Sequence, residues 1–157
     1  MKKMMVVLLA GFMLTAFSTK KDTAVSFERV TELQGYKLKS TEIDLTDFNI
    51  WVVTTEDVFD RVFVADNAAA ARPSFESQMV LAVKVETYSY SYAVKFRSMT
   101  LKDANLNVYF GVRKKGPANN GEGPVSLAVV PKDGSVKKIN FYHDNILVKT
   151  VPIVTVY

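Results

Sequence analysis

The chain has 157 residues, 48% of them apolar, and no cysteine. The length favours one domain and the apolar share supports a packed core. The missing cysteine excludes disulfides, thiolate zinc sites and a thiol nucleophile. The net charge of +4 overstates the basicity of the folded part, because Lys2 and Lys3 open the chain; without them 18 basic residues stand against 16 acidic ones. A surface so nearly balanced gives little ground for nucleic-acid binding, and none is expected.

Lys2-Lys3 precedes an apolar run over residues 4–17, and polar Ser18-Thr19-Lys20-Lys21-Asp22 follows. This order is that of a secretory signal peptide. The run has 14 residues, where a spanning helix needs about 20. Ala16 and Ser18 supply small side chains for cleavage before Thr19. Residues 1–18 therefore read as a signal peptide and 19–157 as one β-rich domain. Leu14-Thr15-Ala16-Phe17 has the form of a bacterial lipobox with Phe17 in place of the cysteine. Without that sulfur no lipid can be attached, so the expected product is periplasmic or secreted, with membrane contact only through an uncleaved leader.

Further along, residues 25–30 and 35–38 suit short edge strands. Asn49-Ile50-Trp51-Val52-Val53 has the β-branched and aromatic content of a strand, with Trp51 facing a core. Thr54 or Thr55 can cap a helix over 55–66, with Glu56 and Asp57 at its positive end and Val58, Phe59, Val62 and Phe63 on one stripe. Arg72-Pro73 closes that segment, and 67–77 reads as a loop. Strand and turn follow. In 78–86, Val80-Leu81-Ala82-Val83 is apolar on both faces, as in a central strand. In 88–99, Tyr88, Tyr90, Tyr92, Val94 and Phe96 share one face. A turn at Lys102-Asp103 leads to a strand at 106–110, and a Gly/Pro/Asn loop is expected over 116–124. Val125, Leu127 and Val129 alternate with smaller residues. Asp133-Gly134 between two strand patterns is the strongest hairpin signal, since both positions of such a turn take positive φ. Ile139-Asn140-Phe141 continues the alternation, His143-Asp144-Asn145 is a second tight turn, and 146–156 is a last strand, placed at an edge or a bulge by Pro152. No internal repeat or second domain is evident. The expected fold is mainly β, an antiparallel sandwich or partly open barrel with one helix near 55–66.

The run Val-Val-Thr-Thr-Glu-Asp-Val-Phe-Asp-Arg-Val-Phe, the loop into Ser74-Phe75-Glu76-Ser77-Gln78-Met79-Val80-Leu81-Ala82-Val83 and the strands beyond resemble the C-terminal domain of the protease complex subunit PrcB family. The resemblance spans roughly residues 50–150 and is most specific over Phe75 to Val83. It implies an exported, non-enzymatic protein that assists a protease. The family's Thr-Gly-Gly-Tyr turn has no counterpart here, where Glu86-Thr87-Tyr88-Ser89-Tyr90-Ser91-Tyr92 stands, so no functional residue is carried over.

Candidate chemistry is sparse. His143 beside Asp144 could hold a general base, yet His-Asp-Asn is more simply a polar turn, and no Gly-x-Ser-x-Gly elbow accompanies it. Glu42, Asp44 and Asp47 cluster without the spacing or glycine of a calcium loop. No metal, cofactor or catalytic residue is expected, and the protein reads as a non-enzyme. The candidate contacts are Tyr88, Tyr90 and Tyr92, which could stack on a glycan or a protein partner if they do not face the core, and Arg113, Lys114 and Lys115, which could meet phosphate or an acidic partner if they are not a solvated hairpin tip. The leading expectation is an exported protein that binds another protein, with glycan binding through exposed aromatics as the alternative. The export reading is tested by sequencing the N-terminus of the exported protein. The expected start is Thr19, and Phe17→Cys should convert the product to a lipidated, membrane-held form.

Overall fold

The computed structural model describes residues 23–24, 31–39, 48–68, 70–85, 90–117 and 125–153. The leader, the 25–30 segment, the trio Glu42, Asp44 and Asp47, Tyr88, the 118–124 part of the Gly/Pro loop and the end of the last strand past 153 lie outside these residues. In chain order the strands are β1 (Thr23–Ala24), β2 (Thr31–Leu33), β3 (Tyr36–Leu38) and β4 (Phe48–Val53), followed by the helix α1 (Glu56–Val62). Then come β5 (Phe63–Ala65), β6 (Gln78–Val85), β7 (Tyr90–Lys102), β8 (Asn105–Pro117), β9 (Val125–Pro131), β10 (Lys138–His143) and β11 (Ile146–Pro152).

Two larger sheets face each other. Sheet A has the order β1-β7-β8-β10-β11, sheet B the order β2-β9-β6-β4, and β3 pairs with β5 in a small third sheet. The architecture is the sandwich that the alternating patterns predict, without closure into a barrel. One pairing departs from antiparallel: β8 and β10 run parallel, Asn105 opposite Lys138 through Phe110 opposite His143. A parallel pair needs a crossover, and β9, which lies in sheet B, supplies it.

Strand β6 organises the layers. Its residues Val80, Leu81, Ala82 and Val83 are all fully buried, which two-sided apolar content requires. Leu81 and Val83 point into the core between the sheets, with Phe96, Phe110, Ile139 and Phe141 from sheet A. Val80 and Ala82 point the other way, into a second core with Phe59, Phe63 and Leu127. Trp51 and Phe75 are partly buried against that second core.

The helix is shorter than its apolar stripe predicts. Thr55 caps it, its hydroxyl accepting from the Val58 N–H, but it ends at Val62. Residues 63–65, read as its last turn, form β5 opposite β3, with Phe63 across from Leu38 and Val64 across from Lys37. Aromatic and β-branched side chains suit a pleated strand better than a helix end. Phe63 is buried either way, so the hydrophobic stripe does not discriminate.

The Asp133-Gly134 hairpin is not formed. β9 and β10 lie in different sheets, and Gly134 does not take a positive φ. Asp133 instead makes a local turn: its Oδ1 accepts from the Ser135 N–H at 2.8 Å and its carbonyl from the Val136 N–H at 3.0 Å. The Ser135 hydroxyl, and next its N–H, hold the Asp133 carboxyl below its ordinary range. The tight hairpins of sheet A carry other residues at positive φ: Asp103 and Ala104 between β7 and β8, Asp144 and Asn145 between β10 and β11. β11 is an edge strand, as Pro152 requires, and its pairing with β10 is bulged between Phe141 and Tyr142.

Phe59 links the helix to the second core, its ring 5.0 Å from Tyr36, 5.2 Å from Phe63 and 5.4 Å from Phe75. Replacing it with alanine removes a fully buried ring that three neighbours cannot close over. Phe59→Ala is expected to cost about 3–5 kcal/mol, read as a lowered urea midpoint with an unchanged slope.

Candidate functional site

β7 and β8 are far longer than their neighbours, and the excess builds an arm. The β8–β10 ladder ends at Phe110 opposite His143. β8 continues to Pro117 with only β7 beside it in sheet A, out to Tyr90 opposite Pro117. Val94 is buried and Val112 partly buried against the core. Beyond them the face that faces the core lower down comes into the open. Tyr92 is half-buried there and Tyr90 is 40% exposed. Val94 and Phe96 thus follow the core reading of the tyrosine face, and Tyr90 departs from it because the strand outruns the sheet that would cover it.

Lys114 lies opposite Tyr92, and its ammonium sits 3.1 Å from the centroid of the Tyr90 ring. That is a cation–π contact. A register shift between Ser91 and Tyr92 leaves Lys115 as the extra residue of β8, and such a bulge bends a strand and re-aims its side chains. Arg113, Lys114 and Lys115 therefore belong to a strand and not to a hairpin tip. Residues 90–117 carry six basic side chains and one acidic one, Asp103, which is at the opposite end from the arm. Arm and sheet together form a positive surface.

The outer face of sheet A holds residues that pattern reading passed over. In the parallel β8–β10 ladder, Asn107 lies opposite Asn140 and Tyr109 opposite Tyr142. The two tyrosine rings stack at 4.9 Å with their planes 17° apart. Asn140 Nδ2 donates to Asn107 Oδ1 at 3.0 Å, and Thr150 Oγ1 on β11 donates to Asn140 Oδ1 at 2.9 Å. On the core side Phe110 stacks on His143, centroids 5.6 Å apart. The signal was present as a six-residue echo, Asn105-Leu106-Asn107-Val108-Tyr109-Phe110 against Lys138-Ile139-Asn140-Phe141-Tyr142-His143. The parallel register sets the two repeated residues, Asn107 on Asn140 and Tyr109 on Tyr142, directly opposite each other.

Arg97 is the bulged residue of β7, between Phe96 and Ser98. Its guanidinium crosses β8 above Gly111, where a side chain's Cβ would meet Arg97 Nη2 at 2.4 Å. It reaches Asp144 in the β10–β11 turn at 3.0 Å. His143 Nε2 lies 3.3 Å from Asp144 Oδ2, with its ring beside Phe48 and Phe110. Asp144 and Asn145 at positive φ make this a tight turn, and no hydrogen bond joins His143 to a serine among the described residues. Nor do three or more acidic or histidine side chains come together there to hold a metal.

A hollow of about 680 Å³ opens beside the start of α1, lined by Thr55, Glu56, Arg72, Phe75, Glu76 and Lys132 among others. Its charges are largely engaged with one another. Arg72 bridges Asp60 and Glu56, each at 2.7 Å, and hydrogen bonds to Asp60, then Glu56, raise its guanidinium above the ordinary value. Lys132 Nζ donates to the Phe75 carbonyl. The segment that carries the family resemblance runs along this hollow into β6. Its residues act as turn and core: Ser74 and Gln78 hydrogen-bond each other, Phe75 packs on Phe59, and Val80 to Val83 are buried.

No protein-family model matches the chain, and no curated protein or solved structure matches it either. The functional reading therefore rests on the geometry of the arm and of the sheet A face.

Gly111 tests the Arg97 crossing. Gly111→Ala is expected to push the guanidinium off β8 and break its pairing with Asp144. The change should stay within about 1 kcal/mol, because the colliding atom ends a flexible side chain and the pair is exposed. In an Arg97→Ala background the same substitution should be close to neutral, which a double-mutant cycle in urea would read.

Proposed function

We propose that this chain is an exported, non-catalytic envelope protein that binds another protein through the end of the β7–β8 arm. The observation that carries this reading is the arm itself: an exposed Tyr90 beneath the Lys114 ammonium, with Arg113 and Lys115 beside it on strands that outrun their sheet. Tyrosine and arginine are enriched in protein interfaces, and lysines beside them suit the polar rim of one. The charge selects an acidic surface on the partner. One face of the Tyr90 ring is already covered by Lys114, which favours a protein contact over the stacking of a sugar at this position. The resemblance to the PrcB family points to an exported protease, or an assembly around one, as the partner that this protein assists or regulates. The leader supports a periplasmic or secreted location.

A photo-crosslinking residue placed at Tyr90 in the exported protein tests the proposal. One reproducible protein adduct is expected, lost in the charge-reversed Arg113→Glu/Lys114→Glu/Lys115→Glu variant and weakened by raised salt. Crosslinks scattered over many proteins, or an adduct indifferent to the charge reversal, would count against it.

A further inference from the structure

We infer that the outer face of sheet A is a platform for an acidic polysaccharide. This goes beyond the protein-docking role of the arm and uses different residues. Strand register sets the side chains in rows. One row is Leu147, Tyr142, Tyr109 and Ser98, and the next is Thr150, Asn140, Asn107 and Thr100. In the second row the hydrogen bonds run one way, from the Thr150 hydroxyl to Asn140 and from Asn140 to Asn107. Both amide oxygens are engaged, while the Asn107 amide keeps two N–H groups and that of Asn140 keeps one. The row thus turns donors to solvent, as a ligand rich in acceptor oxygens requires.

The tyrosine row narrows the class. The rings of Tyr109 and Tyr142 cover each other's inner faces at 4.9 Å, so the pair stands upright on the sheet and presents edges and hydroxyls. Single-stranded nucleic acid is bound by stacking bases on open ring faces, whereas sugar hydroxyls are met by hydrogen-bonding edges. The centre of the face is amide and hydroxyl, and the exposed Ile146 and Leu147 at its edge are too small a patch for a bilayer to bury. Charge then separates acidic from neutral glycans. Apart from the arm and Lys149, whose ammonium turns inward onto the Ile50 carbonyl, the strands of sheet A and their two hairpin turns carry four basic residues and two acidic ones, and one of those acids, Asp144, is held by Arg97. Cations flank the rows at both ends, Lys95 beyond the tyrosines and Lys138 beyond the asparagines. From Asn105 to Gly111 the face runs roughly 20 Å along β8, at about 3.3 Å per residue, enough for several sugar rings. A neutral chain would leave this excess charge unused, while carboxylates or sulfates along a glycan would meet it.

Electrophoresis of the exported protein through gels containing polygalacturonate tests the inference, with dextran as the neutral control. Migration should be retarded by polygalacturonate and not by dextran. The double variant Asn107→Ala/Asn140→Ala, with an unchanged circular-dichroism spectrum, should bind about tenfold more weakly, the loss of two modest hydrogen bonds. Asn107→Asp, which keeps the size and adds a carboxylate to the row, should abolish retardation. Absence of retardation by polygalacturonate overturns the inference. So does equal binding of oligothymidylate or phosphatidylglycerol vesicles, or retention of full affinity by the folded variants. Because Asn107 and Asn140 lie off the arm, the outcome of crosslinking at Tyr90 has no bearing on this result.

Discussion

Burial of sheet B on both faces is the constraint from which the rest of the structure follows. A sheet with water on one side needs only every second residue to be apolar, and a second layer is then enough. Here Val80, Leu81, Ala82 and Val83 leave no polar side to β6, so two separate layers must cover it. Sheet A does so on one side. On the other, a helix of two turns and the short β3–β5 pair suffice, because Phe59, Phe63 and Phe75 add three rings to a small area. Sheet A, by contrast, is covered on one face only. Its outer face carries amides, hydroxyls and cations, and its inner face emerges along the arm, so the two binding surfaces argued above both belong to sheet A.

That division explains what could be read from the chain. The central strand, the Trp51 strand, the edge position of Pro152 and the turn at His143-Asp144-Asn145 were legible because each rests on local chemistry: two-sided apolarity, β-branching, a missing N–H, a short polar turn. The helix end was misread because Phe63 sits on the apolar stripe whether it closes a helix or opens a strand. The Asp-Gly hairpin was misread for a different reason. Turn chemistry at 133–135 is present and satisfied locally, but which strand then pairs with which is decided by the crossover between sheets, and no local residue encodes that.

The candidate contacts divided in the same way. Tyr90 and Tyr92 were found from their alternation, but their exposure depends on the length of β7 relative to its neighbours. Tyr109, Tyr142, Asn107 and Asn140 look unremarkable one strand at a time and acquire meaning only as pairs. Their signal is the echo between two segments more than thirty residues apart, which a search for long repeats does not register.

The parallel pairing of β8 with β10 also orders events in time. β10 joins β8 across the whole β9 segment, so this contact closes a long loop and is slow to form. The β10–β11 hairpin needs no such wait, because its turn is local and tight hairpins close within microseconds. Local contacts of the last segment thus close faster than its pairing with β8. Until that pairing forms, the β8 edge that carries Asn107 and Tyr109 is open to any other strand. An open strand edge of this kind is where two copies would pair by mistake.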